Sequence, residues 1–557
     1  MKSKYLFFLL TYFSLINVNA QLSEIKTQQI DSLFNSWTET NHPGGAVGIM
    51  QNGEVIYSKA FGLASIEYQV PNKTKTIFNS GSISKQFTAM GIVLLHEKGL
   101  LSVDDDIRTH LPDLPDFGKT ITIRHMLHHT SGLRSLHAML GLAGWRNDDS
   151  RTNEDLYRFM LNQKELNFAP GGEYLYCNTG YMLMVNIIEK VTKKKFPKWM
   201  KANIFDPLGM KNTYVEDRYD RIVPNNATSY YGAKNDFFRA VEFWGYVGSG
   251  NMHSTTSDLL KWLQNFSTPP PNWSSAFEML LTIDPLNDGS ENNYAFGVSI
   301  NNINGYKKIQ HGGAIGGFRA YASTYPEEQL SIAVMTNFSS SNPSQKENQI
   351  LNILLKKKVD KKAKDDNSKQ NLNTIQLSPE KLNQFEASYW NTKDNYARII
   401  YVRKDTLRYF RSANNENALV PVSSNEFKMV GISETLIVKF DLDEDGHKRM
   451  SVRANNQSPS IFEYFEPSLN PKEFIKDYTG RFYSPELEST LVIDLKDGKL
   501  MGYHARHGDF PINMLKSDIL EIPGFAVIKF VREKNNKISG IRVSNGRAKN
   551  VWFEKQK

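Results

Sequence analysis

Three short strings in this 557-residue chain carry residue types that can move protons and attack a carbonyl carbon. The first, Ser82-Ile83-Ser84-Lys85, follows Phe78-Asn79-Ser80-Gly81 and opens an apolar run through Phe87, Met90, Val93 and Leu94 to Gly99. That periodicity predicts a helix closed by its glycine. Ser82 and Lys85, three apart, then share one helical face, with about 5–6 Å between Cβ atoms. An amine there can hydrogen-bond the hydroxyl, and partial burial lowers its pKa toward a value useful for proton transfer. The Ser82 N–H points from a helix start, where a developing oxyanion is favoured.

The second string is Pro170-Gly171-Gly172-Glu173-Tyr174-Leu175-Tyr176-Cys177-Asn178. Its use would be the Tyr176 phenol, able to accept the serine proton, and the Asn178 amide, able to orient lysine and substrate. Taken alone, it reads better as a buried tyrosine and a turn asparagine. The third is His311-Gly312-Gly313-Ala314, at the end of the predicted strand Tyr306-Lys307-Lys308-Ile309-Gln310. Gly312 and Gly313 let a substrate backbone approach closely. The Ala314 N–H offers a second oxyanion donor.

Similar patterns elsewhere lack this context. Ser-x-x-Lys recurs at Ser23–Lys26, beside the predicted mature terminus, and at Ser378–Lys381, where Pro379 marks a helix N-cap. A second His-x-Gly, at His42, has no comparable neighbours. His125, His128 and His129 place imidazoles on one helical face, a spacing that could hold zinc, yet no H-E-x-x-H carboxylate accompanies them. No metal is expected. Asp441, Asp443, Asp445 and Gly446 start like a calcium loop, but Val452 stands at the twelfth position and predicted strands flank it. A polar hairpin turn is the reading.

In their order, Ser82-Ile83-Ser84-Lys85, Tyr176-Cys177-Asn178 and His311-Gly312-Gly313 resemble the three active-site motifs of class C β-lactamases and related penicillin-binding serine hydrolases. The strings Ile123 through Leu133, Pro170-Gly171 and Gly250 through Leu259 agree, and the likeness covers residues 25–357. The resemblance implies that Ser82 is acylated, that Lys85 and Tyr176 share its proton, and that the N–H groups of Ser82 and Ala314 hold the oxyanion. It assigns Asn178 to the substrate amide and requires no cofactor. Two positions depart from the pattern. His311 stands where members that bind a substrate carboxylate usually have lysine, as in the family's D-aminopeptidases and several esterases. Imidazole is a poorer carboxylate anchor than an ammonium, which puts strong β-lactamase activity in doubt. Cys177 replaces a small residue and reads as buried packing.

The expected function is therefore an exported serine hydrolase acting on an amide or ester. A D-amino acid peptide or peptidoglycan-like amide is favoured, then carboxylic esters, with β-lactams last. The alternative is a covalent penicillin-binding or sensing protein with little turnover, though no motif residue is lost. A carbohydrate-binding role for the C-terminal units finds no aromatic platform in the sequence.

Around these strings the chain divides readily. Residues 1–20 have Lys2 and Lys4 ahead of an apolar run ending Val18-Asn19-Ala20, too short for the roughly 20 apolar residues of a membrane span, and read as a secretory signal. A secreted or periplasmic location follows. With 40% hydrophobic residues and one cysteine, Cys177, the chain must be held by its cores. The net charge of +8 owes much to the lysine-rich stretch after Lys356 and comes with no nucleic-acid motif. The partners implied are small peptide, amide or ester substrates.

The catalytic module, 21–357, opens with a helix over 21–40 and a hairpin turning at Asn52-Gly53, and ends in further strands and a helix near 343–357. Strands at both ends with helices between predict an α+β fold: an antiparallel sheet with flanking helices and an inserted helical region, β-lactamase/transpeptidase-like. A linker, 358–376, leads to two small all-β barrel-like domains, 377–467 and 468–557. These repeat each other: 385–390 matches 478–483, 398–409 matches 490–503, and 435–453 matches 525–543. Their likeness to the accessory barrels of three-domain D-aminopeptidases is architectural.

Overall fold

The computed structural model describes residues 22–356, 374–467 and 475–557, apart from 235, 394, 413–414, 431–435 and 455–458. The predicted signal, 1–20, and most of the predicted linker lie outside the described residues. No helix among the described residues is long and apolar enough to cross a membrane.

A six-stranded antiparallel sheet organises the catalytic module. Its order is Ser299–Ile303, Tyr306–Ile315, Phe318–Tyr325, Leu330–Thr336, Gly45–Gln51 and Glu54–Phe61, so the two ends of the module meet in the sheet. The period-2 rule sorts its side chains. Val47, Ile49, Ile332 and Val334 face a core shared with Ile30 and Ile350 of the terminal helices. Ala46, Ala320, Ala322 and Ala333 face the main core. That second face is small-sided because helix Thr256–Gln264 lies close: a Cβ on Gly48 would sit 2.8 Å from the Leu260 side chain. The hairpin turn has Asn52 and Gly53 both at positive φ, 52° and 82°.

Between the sheet's two ends runs the helical region. Helix Ser84–Glu97 is buried from Ser84 through Val93, the mark of a helix enclosed on every side, and it packs on helix Asn178–Thr192. At the N-terminus the predicted single helix is shorter, Glu24–Ser32, followed by a 3₁₀ turn at Asn35–Thr38 that lets Phe34 and Trp37 turn into the core.

The two C-terminal units pair strand for strand with the repeats read in sequence. The first, from Ala387–Asn391 to Ser460–Phe465, is a closed eight-stranded barrel. The second has nine strands, Gly480–Ser484 to Ala548–Lys555, because the counterpart of Asn415–Pro421 is split into Gly508–Pro511 and Asn513–Lys516. Pro511 supplies no N–H to a ladder, and the ring is interrupted at that point. The Asp443 carboxylate accepts from the N–H groups of Asp445 and His447, the hairpin turn expected there. Ser378 caps helix Pro379–Asn383.

The second barrel is joined to the catalytic module. Met139, Leu142 and Ala143 belong to the same apolar core as Phe482, Leu491, Ile528 and Phe553. Arg134, buried at 1% exposure, is salt-bridged to the equally buried Glu486 and donates to the carbonyls of Lys549 and Asn550. A cavity of about 850 Å³ runs along this junction, walled by His137, Trp145, His504, Phe510 and Phe525; neither Ser82 nor Lys85 lines it.

Candidate active site

Ser82 occupies a 3₁₀ turn, Gly81–Ile83, one step before the α-helix rather than inside it. The turn is pinned from both sides. The Gly81 N–H donates to Asn79 Oδ1, the Ser84 hydroxyl donates to the Gly81 carbonyl, and Ser80 Oγ donates to the Met252 carbonyl. Gly81 has φ +54°, a left-handed conformation that glycine takes without strain. Ser82 is half-buried and so open to a substrate.

Lys85 lies beneath it in the first turn of the helix, fully buried. Its Nζ is 3.1 Å from Ser82 Oγ and 2.7 Å from the Ser249 carbonyl. Burial pushes its pKa well below the usual lysine value, and the positive charge of Arg547 pushes the same way. No carboxylate is ion-paired with it among the described residues. Such an amine sheds its proton readily.

Tyr176 caps this pair. Its ring centroid is 4.8 Å from Lys85 Nζ, and its buried hydroxyl lies beside Ser82 without closing a well-formed hydrogen bond. Catalytic hydrogen bonds often tighten only once substrate is bound. Burial raises the Tyr176 pKa, so the phenol keeps its proton in the resting site. Asn178 begins helix Asn178–Thr192, with its Oδ1 buried and unpaired among the described residues. Cys177 is inert packing: its thiol donates to the Leu133 carbonyl and burial raises its pKa.

The third string is not at the end of a strand. Strand pairing runs on through His311, Gly312, Gly313 and Ala314 to Ile315, because the Gly316-Gly317 turn lets Phe318–Tyr325 fold straight back. The strand lies flush on the nucleophile turn. A Cβ on Gly313 would stand 1.9 Å from the Ser80 carbonyl oxygen, and a Cβ on Gly81 would stand 2.7 Å from the Ala314 nitrogen. Two glycines are what this approach requires. It sets the Ala314 N–H beside the Ser82 turn. Residues 311–315 also pair on one side only, since the neighbouring strand ends at Ser299 opposite Gln310. His311 is buried and neutral: burial and Lys85 drive its pKa down to about 3. Nδ1 faces the Gly312 carbonyl at 2.6 Å, so it carries the proton, and Nε2 accepts from the Tyr294 hydroxyl at 2.9 Å.

The three adjacent histidines go to separate partners. His125 Nδ1 accepts from the Thr122 N–H, His128 Nδ1 donates to the Tyr294 carbonyl, and His129 Nδ1 accepts from the Cys177 N–H. No group of three metal-ligating side chains occurs among the described residues. His129, at φ +60°, instead packs against the Tyr176 ring at a tilt of 43°, with 4.2 Å between centroids.

Sequence reasoning missed four members of the site. Ser249 contributes only a carbonyl, Tyr181 and Tyr294 look like ordinary core residues, and Arg547 lies in another domain. The Arg547 guanidinium stands over the Tyr176 ring at 4.9 Å. Its position is held by its own carbonyl, which accepts from the Ser135 N–H and from Asn167 Nδ2. The signal that could have pointed to it is the Asn545-Gly546 turn dipeptide just before it.

Known proteins resemble this chain along most of its length. Residues 30–356 match the family model described as Beta-lactamase. The chain is 30% identical over 333 residues to penicillin-binding protein 4* of Bacillus subtilis, covering 57% of this chain and 73% of that protein. It is 23% identical over 532 residues to a D-aminopeptidase of Brucella anthropi, covering 92% of this chain and 95% of that one. The chain spans only 56–57% of the length of several further D-aminopeptidases. Among solved structures, the octameric penicillin-binding protein homologue from Pyrococcus abyssi aligns with 78% of this chain and all of its own, at 26% identity and a TM-score of 0.54. A buried lysine on a half-open serine, under a capping tyrosine and beside a glycine-paired strand, thus stands in a chain that belongs to the Beta-lactamase family of serine hydrolases.

Proposed function

We propose that this is an exported hydrolase that forms an acyl-enzyme on Ser82 and hydrolyses an amide or ester, with D-amino acid peptides or peptidoglycan-like amides favoured. The observation that carries the reading is the Lys85 amine, buried without a carboxylate partner among the described residues and 3.1 Å from the serine oxygen. D-aminopeptidase and D-amino acid amidase relatives support the choice of amide. The unpaired edge at 311–315 suits an extended substrate backbone. The leader-like residues 1–20 support export.

Ser82 Oγ attacks the carbonyl carbon while its proton passes to Lys85 Nζ. The tetrahedral oxyanion is held by the N–H groups of Ser82 and Ala314. Collapse breaks the bond to the leaving amine or alcohol, which takes the proton by way of the Tyr176 hydroxyl. Asn178 orients the substrate amide, and neutral His311 holds Tyr294 in place at the edge of the site. Water then attacks the acyl-enzyme and gives its proton to the same amine, which returns it to Ser82 Oγ as the acyl–serine bond breaks and the acid is released.

A panel of D- and L-amino acid amides, short peptides and p-nitrophenyl esters tests this, run with the mature chain and Ser82→Ala. Turnover of an amide or ester that vanishes in Ser82→Ala is the expected result. Stoichiometric acylation without turnover would overturn it in favour of a covalent binding protein.

A further inference from the structure

The cleft around Ser82 is short of negative charge. The Arg547 charge acts on Lys85, His129, His137, Tyr174, Tyr176 and Cys177, and none of these six is a carboxylate. The carboxylate nearest in sequence to Tyr176, Glu173, is taken by two lysines, Lys549 at 3.2 Å and Lys393 at 3.5 Å. Arg547 itself is exposed and has no ion-pair partner among the described residues. His311 is neutral, so the third string supplies no cation either.

An unpaired guanidinium at a catalytic cleft would ordinarily sway in solvent. Here its backbone is clamped to the catalytic module by the Ser135 N–H and Asn167 Nδ2. On one side of it Lys549 is held as well, its N–H on Asn167 Oδ1. Farther back, the buried Arg134–Glu486 pair locks the whole barrel against the loop that leads to helix Leu136–Leu142. The turn is built to present this side chain.

We propose that Arg547, delivered from the C-terminal barrel, is the specificity-determining anchor for a carboxylate on the substrate, close to the bond that Ser82 attacks. This rests on the serine-hydrolase reading and narrows its substrate class to acyl compounds bearing a free carboxylate. The planar five-donor fork of arginine fits a carboxylate bidentately. Its position over the Tyr176 ring, which also lies against Lys85, places that contact beside the catalytic pair. A bound anion also neutralises a charge that has no ion-pair partner among the described residues.

The test compares wild type, Arg547→Gln and Arg547→Lys on two matched pairs: an N-acetylated D-dipeptide as free acid and as carboxamide, and the p-nitrophenyl monoester of succinate against its methyl-capped form. A charge-assisted pair is expected to give about tenfold or more in kcat/KM for the acid of at least one pair, carried in KM. Arg547→Gln removes that preference, and Arg547→Lys keeps part of it. Fluorophosphonate labelling of Ser82 is followed in parallel. If Ser82 labels and neutral esters turn over, yet wild type shows no preference for either acid or Arg547→Gln retains it, the anchor is overturned while the nucleophile stands. If Ser82 does not label in the folded wild type, the serine-hydrolase reading fails and the anchor with it.

Discussion

Lys85 Nζ is held more tightly by the Ser249 carbonyl, at 2.7 Å, than by the serine it serves, at 3.1 Å. A carbonyl only accepts, so it steers one N–H of the amine and leaves the lone pair of the neutral form free to face the Ser82 hydroxyl. A carboxylate in that place would have kept the lysine charged and useless as a base.

The pH profile follows with a definite sign. Protonating Lys85 removes the base, so kcat/KM on an uncharged ester rises with pH through an apparent pKa well below that of ordinary lysine. The raised pKa of Tyr176 keeps the phenol protonated on the alkaline side, so the plateau extends past neutrality. Lys85→Arg, permanently charged, loses about 10²–10⁴-fold in kcat. An acid limb at the ordinary lysine value would contradict this account.

His311 contributes no titration near neutrality. Its ring resonances stay unchanged by NMR between pH 5 and 8, since its pKa lies at about 3. His311→Ala takes the imidazole acceptor from the buried Tyr294 hydroxyl, and about 1 kcal/mol of stability is lost in urea unfolding.

Gly313→Ala tests the fit of strand to turn. The added methyl meets the Ser80 carbonyl at 1.9 Å, and the strand must move off the nucleophile. A displacement on the order of 1 Å costs roughly 10²-fold in rate, measured as kcat/KM with near-UV circular dichroism confirming the fold. A loss below tenfold would show that the contact is not required.

Legibility in the sequence tracked locality. The Ser82–Lys85 pair, the hairpin at Asn52-Gly53 and the capped helix at Ser378 depend on neighbours within four residues, and all were readable. The antiparallel sheet with its inserted helical region was readable too, because strand signals bracket the helices. The strand through His311-Gly312-Gly313 was cut short, since glycine pairs normally argue against a strand interior. Here the close approach of Ser80 demands them. Ser249, Tyr294 and Arg547 were invisible for another reason. A carbonyl, a core tyrosine and a turn arginine acquire a role only through tertiary contact.

Glu486→Ala tests whether the barrel's position matters to the site. It removes the nearer of two carboxylates and leaves the buried Arg134 on the more exposed Glu165 at 3.4 Å, which costs about 3 kcal/mol in equilibrium unfolding. Activity should fall along with it, because Arg134 also donates to the Lys549 and Asn550 carbonyls, next to the turn that carries Arg547. Unchanged stability would mean that the barrel is not held by this pair.

The most direct test of the central claim is intact mass after incubating the purified chain with a fluorophosphonate, alongside Ser82→Ala. One adduct per chain, mapped to the peptide containing Ser82 and absent from the variant, is the predicted result. A folded wild-type protein that takes no adduct, or a variant that still takes one, would contradict the assignment of Ser82 as nucleophile.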